Sequence, residues 1–382
     1  MTTQLKQEST LFDIAREVGT FRCLECGKCT AVCPISRYDS NFSPRRVVGQ
    51  AFLGKNEDLL NSERMWSCLT CLHCSEVCPA GVAYSDLTLA IRAEAMNLGT
   101  LPACTHSQAI HTWVRMMMEP DIKQDRLGWL NDELKVSDDS DTLYFVGCAP
   151  YYGALFEPLG LDGAGIAQST VKALNKLGIE PQVLADERCC GHDLLWEGDR
   201  EGFETLAKLN KTLIHESGAK RIVTACPECA KALKVDYPAH GVKLDVEVLH
   251  LSELLADETW QGSSTNGSVT YHDPCRLGRH LGVYDAPRQT IEKSGLELVE
   301  MQRHKQNSLC CGTSGWSSCG VANKSIQVER LREARATGAE TLITACIKCQ
   351  IHLRCAMQDK QLGDDIAIEI KDMAVIAAEA MD

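Results

Sequence analysis

The feature that most limits what this chain can fold into is a pattern of five cysteines that occurs twice. In the first copy Cys148 is followed by Cys189-Cys190-Gly191 and then by Cys226-Pro227-Glu228-Cys229. In the second, Cys275 precedes Cys310-Cys311-Gly312 and Cys346-Ile347-Lys348-Cys349. The intervals are 40 and 35 residues in the first copy, against 34 and 34 in the second. Flanking residues repeat too, with Gly218-Ala219 and Thr224-Ala225-Cys226 matching Gly338-Ala339 and Thr344-Ala345-Cys346. An internal duplication of this kind sets the architecture before any local prediction. Adjacent cysteines cannot both face one apolar core, so these pairs have work other than packing.

The rest of the composition says which work. The chain has 21 cysteines in 382 residues, and its opening Met1-Thr2-Thr3-Gln4-Leu5-Lys6 lacks the basic and apolar regions of a secretory signal. No apolar run reaches membrane-spanning length. These facts point to a reducing, cytoplasmic setting in which thiolates hold metal, with a disulfide scaffold as the alternative. A formal net charge of −13 argues against a nucleic-acid partner. With 44% hydrophobic and 24% charged residues, the chain has the make-up of a globular protein of two or three domains.

Ahead of the repeats stand two runs, Cys23-x-x-Cys26-x-x-Cys29-x-x-x-Cys33-Pro34 and Cys68-x-x-Cys71-x-x-Cys74-x-x-x-Cys78-Pro79. Both match the bacterial ferredoxin run for a [4Fe–4S] cluster, in which three close thiolates hold one cubane and the fourth reaches to the other. By that rule one cubane takes Cys23, Cys26, Cys29 and Cys78, and the second takes Cys68, Cys71, Cys74 and Cys33. Zinc is the alternative, but structural zinc favours paired Cys-x-x-Cys motifs. His73 is expected beside the cluster or exposed, because the thiolates already complete the ligand count. Val47, Val48, Ala51, Phe52, Leu59 and Leu60 fall at helical spacing, and a short helix is expected over 9–18, begun by Ser9 or Thr10. The module therefore reads as all-helical.

The pattern stays mostly helical from 84 to 140, with Met116-Met117-Met118 as core filler or docking surface, and Ser137-Asp138-Asp139-Ser140-Asp141 marks a boundary. A buried strand is expected from Thr142 to Gly147. Strands then alternate with helices, which predicts parallel α/β units that deliver Cys226 and Cys346 at strand carboxyl ends. The fold class is thus multidomain α plus α/β: a helical ferredoxin module over 1–140, a first cysteine-rich domain over 141–261 and a second over 267–382. Gly262-Ser263-Ser264-Thr265-Asn266-Gly267 is the linker, and the module and repeats are expected to have separate cores. Gly163-Ala164-Gly165 lacks the third glycine of a dinucleotide turn and reads as a helix start, so no flavin or nicotinamide site is expected. Cys104, Cys319 and Cys355 lie outside every motif and are expected to be buried as small hydrophobes.

A Cys-x-x-Cys after a strand also fits a thioredoxin-type dithiol, but that leaves each Cys-Cys pair unexplained. One cluster per repeat, held by five thiolates, accounts for all of them. The repeats resemble the CCG domain pair of heterodisulfide reductase catalytic subunits, and the two ferredoxin runs resemble that enzyme's small iron–sulfur subunit, here fused into one chain. His272-Asp273-Pro274-Cys275-Arg276-Leu277-Gly278-Arg279 is similar to the start of the family's second repeat. The resemblance implies a noncubane [4Fe–4S] cluster on Cys148, Cys189, Cys190, Cys226 and Cys229, and another on Cys275, Cys310, Cys311, Cys346 and Cys349. It implies a disulfide substrate between them, and a flavin-containing or iron–sulfur protein subunit as electron partner. Related iron–sulfur subunits of larger complexes use the same domain pair as a non-catalytic relay, the alternative reading. The 40-residue interval before Cys189 is long for the family, and Gly312-Thr313-Ser314-Gly315-Trp316 replaces a glycine-richer run. His192 is the candidate proton donor to a leaving thiolate, or a hydrogen-bonding neighbour of the cluster. Trp196 and Trp316 are candidates to line the clusters or to serve as ordinary core.

Overall fold

The computed structural model describes residues 11–102, 104–263, 267–359 and 364–382. The first helix runs Leu11–Glu17, while Ser9, Thr10 and linker residues Ser264, Thr265 and Asn266 lie outside the described residues. The helices Lys28–Val32, Pro34–Tyr38, Pro44–Phe52 and Tyr84–Asn97 follow. Prolines at first helical positions suit this, since their missing N–H has no partner there anyway. Ser43 Oγ caps the third of these helices by accepting from the Arg46 backbone N–H at 3.3 Å. The helical expectation for 84–140 holds only in part. After Ala109–Met116 the described chain has no helix until Ala149, because Pro120, Gly128 and clustered Asp and Asn residues favour turns. Met117 is buried, whereas Met116 is 55% exposed.

Each repeat is a small parallel sheet. The first is ordered β1 (Thr142–Tyr144), β2 (Arg221–Thr224), β3 (Glu247–His250). The second contains β4 (Ser268–His272), β5 (Glu297–Leu298), β6 (Thr341–Thr344) and β7 (Glu369–Asp372), ordered β5-β4-β6-β7. Where β5 pairs with β4, the first repeat has a single parallel bridge, Leu143 to Gln182. Strand β1 is shorter than expected: the chain leaves the sheet after Tyr144, although Phe145 still donates to the Val223 carbonyl at 2.9 Å. Apolar residues of the central strands, Ile222, Val223, Leu342 and Ile343, are fully buried, as a sheet covered on both faces requires. The helices Arg200–Ser217 and Val321–Arg335 precede these strands. The turns after them carry Gly218 and Gly338 at φ +67° and +77°, the left-handed conformation that glycine tolerates.

The two repeats exchange their last helices. Met373–Met381 packs on Gly163–Lys176 of the first repeat, and Leu251–Asp257 packs on Asp285–Lys293 of the second. The expectation of separate cores for module and repeats is overturned. Leu11, Trp66, Leu87 and Ile91 of the module share one apolar core with Leu309, Cys310, Cys311, Ile326, Cys346 and Cys349. A module of this size buries too little apolar surface alone, and it completes its core on the second repeat. Fully buried Arg92 joins the module to the first repeat, donating to the carbonyls of Met65 at 2.9 Å, Cys68 at 2.7 Å and Trp196 at 2.6 Å.

Candidate metal centres

The two ferredoxin runs wrap in the same way. Glu25 and Thr70 take φ of +52° and +47°, and Gly27 and Leu72 take +77° and +64°. The amides of Glu25 and Thr70 each reach back to a sulfur, Cys23 Sγ and Cys68 Sγ, at 3.4 Å. Left-handed backbone at non-glycine residues costs roughly 1 kcal/mol or more each, so packing or a bound group must hold it. Cys23, Cys26, Cys29 and Cys78 line one cavity together with Cys74, and Cys33, Cys68, Cys71 and Cys74 line a second. The structure thus brings the fourth cysteine of each run to the first three of the other. Burial pushes the Cys33 thiol up to about 12, and burial drops the half-buried His73 imidazole to about 4, so it stays neutral.

In the repeats, loops at the strand carboxyl ends gather the thiols. Cys226 and Cys346 are N-caps of Pro227–Lys231 and Ile347–Met357, which places Cys229 and Cys349 in the first turns. The glycine after each Cys-Cys is obligatory: Gly191 sits at φ +78° with Phe203 Cδ2 2.9 Å from where a Cβ would be, and Gly312 sits at φ +91° with the Asn323 carbonyl at 2.8 Å. In the first repeat Cys148, Cys189, Cys190, Cys229 and Cys226 each shift the protonation of the next, with Cys229 Sγ 3.5 Å from Cys190 Sγ. In the second Cys275, Cys310, Cys311, Cys349 and Cys346 do the same in that order. Each row mixes raised and lowered thiols because neighbours share protons, and burial lifts Cys346 to about 11.

Four buried thiols and a half-buried fifth cannot all ionise against one another, so a positively charged metal group is what lets such a set become thiolate. A further observation fits. His272 Nδ1 accepts from Arg330 Nε at 3.0 Å, which leaves the proton on Nε2, and that buried atom has no hydrogen-bond partner among the described residues. It lies in the group formed with Cys311 and Cys349.

The module and second repeat meet at cysteine, since Cys71 and Cys310 lie in one core and each shifts the protonation of the other. Two arginines from the motif around Cys275 hold this junction. Arg276 donates to the Thr70 carbonyl at 2.6 Å and to Thr70 Oγ1 at 2.7 Å, and Arg279 donates to the Cys71 carbonyl at 2.5 Å. The repeats meet through the interiors of their Cys-x-x-Cys motifs, where Lys348 Nζ lies 2.9 Å from Glu228 Oε2 and also pairs with Asp193. Burial disfavours the Lys348 ammonium, but Asp193 and Glu228 more than offset this and hold its pKa above the ordinary lysine range. Sequence reasoning passed over Glu228, Lys348 and Asp193. The signal was available, since matched positions of a duplication carry opposite charges.

His192 is buried in the same network. Its Nε2 accepts from Arg276 Nε at 2.8 Å, and Nδ1 faces Asp193 at 3.2 Å and Glu228 at 3.5 Å. Trp196 lies under the Arg276 guanidinium at 4.3 Å, while Trp316 stacks on Phe156 at 5.5 Å and donates to Asp193 at 3.1 Å. The remaining cysteines correct an expectation. Cys319 is exposed, Cys104 and Cys355 are half-buried, and all three line cavities, so they are not core filler. Cys104 and Cys319 lie outside helices and strands, and Cys355 lies in the last turn of the helix Ile347–Met357. Cys104 groups with His111 and Glu197.

The Cysteine-rich domain (CCG) model matches residues 142–234 and 269–354, and the 4Fe-4S dicluster domain model matches 19–82. A subunit of the dihydromethanophenazine:CoB–CoM heterodisulfide reductase of Methanosarcina mazei is 31% identical, covering 94% of this chain and 93% of the relative. A subunit of the fumarate reductase (CoM/CoB) of Methanothermobacter marburgensis is 30% identical over 93% of this chain and 72% of its own length. The EtfAB:quinone oxidoreductase of Syntrophomonas wolfei is 28% identical over 85% of this chain and 48% of its own length. No helix among the described residues is long and apolar enough to cross a membrane. The chain belongs to the family of iron–sulfur oxidoreductase subunits that join a 4Fe-4S dicluster domain to paired CCG domains, the family that includes the Methanosarcina heterodisulfide reductase subunit.

Proposed function

We propose that the chain takes electrons from a partner subunit at its ferredoxin module and uses them in its paired repeats to reduce a small disulfide. The observation that carries this reading is the order in which the cysteine sites are placed, with the module sharing a core with the second repeat and the second repeat touching the first. It starts at exposed Cys26, passes from Cys71 to Cys310, and crosses between the repeats at Glu228 and Lys348. We assign two cubanes to the ferredoxin runs and a noncubane cluster to each five-cysteine set, with the ligands named above. The three units over 1–140, 141–261 and 267–382 are the corresponding domains. Bound there, the clusters supply one-electron transfer, and a pair of them matches the two electrons that disulfide cleavage consumes.

The chain's own residues set the conditions. Arg276 and Arg279 fix the loop that carries Cys71 against the second repeat. Lys348, Asp193, Glu228 and His192 fill the space between the Cys-x-x-Cys motifs with paired charges. With both ring nitrogens engaged, His192 positions this network and does not donate a proton to substrate. A flavin-containing or iron–sulfur partner docks around Cys26, where Leu24 is 70% and Phe21 59% exposed, in the cytoplasm. The filled space between the motifs favours a second reading, in which the chain only relays electrons to a catalytic partner.

Metal analysis of anaerobically prepared protein tests the assignment: about sixteen irons per chain are expected from four clusters of four. About eight irons, with zinc in the remainder, overturn it. Reduction of small disulfides by the pre-reduced chain then separates the readings. Turnover that is lost in both Cys190→Ala and Cys311→Ala supports catalysis, and electron exchange with a partner protein without any turnover supports the relay.

A further inference from the structure

A second feature of the repeats has no part in holding clusters. A cavity of about 260 Å³ opens beside the second repeat, walled by Leu155, Phe156, Leu159, Trp316 and Ile351. Cys319, Cys355, His352, Gln327 and Thr313 also line it, with Thr105, His106 and Pro158. Two of these polar residues have unused capacity. Among the described residues, His352 Nε2 and Gln327 Oε1 are buried without hydrogen-bond partners, in side chains that are 5% and 1% exposed. Buried polar atoms are normally satisfied, so a pair left open on one cavity wall points to a ligand that completes them.

The cavity leads to the metal ligands by a short route. Cys349, His352 and Cys355 lie three residues apart on the helix Ile347–Met357, and such positions are neighbours on a helix surface. His352 Nδ1 is 3.4 Å from Cys311 Sγ. Cys355 lies two helical steps further out, roughly 9 Å along the axis from Cys349. Lys324 Nζ sits 3.1 Å from Cys355 Sγ and so puts a cation beside this sulfur.

We propose that this cavity is a thiol-capture site, in which Cys355 takes up one half of a small disulfide with an apolar, negatively charged body. The Cys355 thiolate attacks one sulfur of R–S–S–R′. A bond forms between Cys355 and the R-bearing sulfur, the substrate S–S bond breaks, and R′S⁻ leaves with the electron pair. Release of RSH then consumes two electrons and one proton, restoring the Cys355 thiolate, and the chain's electron-transfer activity supplies the electrons. Phe156, Trp316 and Leu159 cover the apolar body, Gln327 Oε1 and His352 Nε2 accept from an N–H or O–H that it carries, and Lys324 beside Cys355 selects against cations. The site rests on the disulfide reading above but locates capture outside the cluster ligands.

The test uses the anaerobic full chain with its clusters, treated with dithiodibutyrate or with cystamine and then mapped by peptide mass. The mixed disulfide is expected on Cys355, with one thiol released per chain, and cystamine is expected to react about tenfold more slowly. Cys355→Ser should abolish the adduct at wild-type iron content, and Lys324→Met should slow its formation and erase the preference between probes. An adduct on Cys319 or elsewhere with Cys355 free, or equal rates for the two probes, overturns the proposal. An adduct on Cys355 in a chain that never turns over disulfides supports the capture site while refuting reduction.

Discussion

The two repeats have the same cysteine order and the same parallel sheet, yet they differ in what surrounds them. In the second, Cys310 meets Cys71 of the module, and Arg276 and Arg279 grip the module's loop. In the first, Cys148 is followed by Ala149-Pro150-Tyr151-Tyr152, which has no arginine to make such a grip. The first repeat meets the module through Arg92 at the Trp196 carbonyl, through Trp66 Nε1 at the Glu197 carbonyl, and through Ile110, Val114, Met117 and Trp129, which lie in its own core. Duplication supplies two equal sites, and the module makes them unequal because its cysteine-bearing core, with Cys68 and Cys71, is shared with the second repeat. In the function proposed above, the second repeat receives electrons first and the first repeat lies beyond it.

The largest effect should come from cutting the junction. Cys71→Ala is expected to slow electron delivery to the repeats at least about 100-fold, and to cost roughly eight of sixteen irons, because Cys71 lies in the core of the second repeat. Cys26→Ala, at the exposed rim, should lose only about four. Iron analysis beside stopped-flow absorbance reads both, and equal iron loss in the two variants would contradict the shared core.

Next comes the contact between the repeats. Lys348→Met leaves the buried Asp193 and the half-buried Glu228 without their cation, a change that costs on the order of 3–5 kcal/mol. Glu228→Gln leaves Lys348 paired with Asp193 and should cost about 1 kcal/mol. Urea unfolding of the two variants ranks them, and a reversed order would show that the network is not what joins the repeats.

The smallest effect distinguishes the exchanged helices, which are capped by different residues. His250 caps one through Nδ1, accepting from the Ser252 amide at 3.1 Å, and Asp372 caps the other, accepting from the Ala374 amide at 2.9 Å. Burial raises the Asp372 carboxyl to about 7, against an unfolded value of 3.8. Its favourable contribution is therefore complete below about pH 4 and is lost as pH rises through 7. Asp372→Asn should thus raise stability at pH 8 by on the order of 1–2 kcal/mol and change little at pH 5. A stabilisation of equal size at both pH values would exclude this origin.

Much of this organisation was legible because cysteine spacing carries chemistry that few other patterns can mimic. The duplicated α/β units, the helical module and the exchange of Cys33 and Cys78 between runs all follow from where ligands must stand. Gly163-Ala164-Gly165 reads correctly as a helix start, since a helix runs Gly163–Lys176. What stayed hidden depended on contacts between units. Nothing local in Cys71 or Cys310 says that they touch, and Leu11, Trp66 and Leu87 look like a core sufficient to itself. The charges of Glu228 and Lys348 look solvated until the two motifs face each other. Cys355 resembles core filler until Lys324, thirty-one residues earlier, is folded against it.

If electrons reach the first repeat by way of the second, the order of filling can be watched. Rapid-freeze electron paramagnetic resonance does this on the intact chain, mixed with a one-electron donor, in wild type, Cys311→Ala and Cys190→Ala. The module of Cys311→Ala is expected to be reduced normally while its first repeat stays oxidised, whereas Cys190→Ala should fill the second repeat at the wild-type rate. A first repeat that is reduced at the wild-type rate in Cys311→Ala would contradict this order.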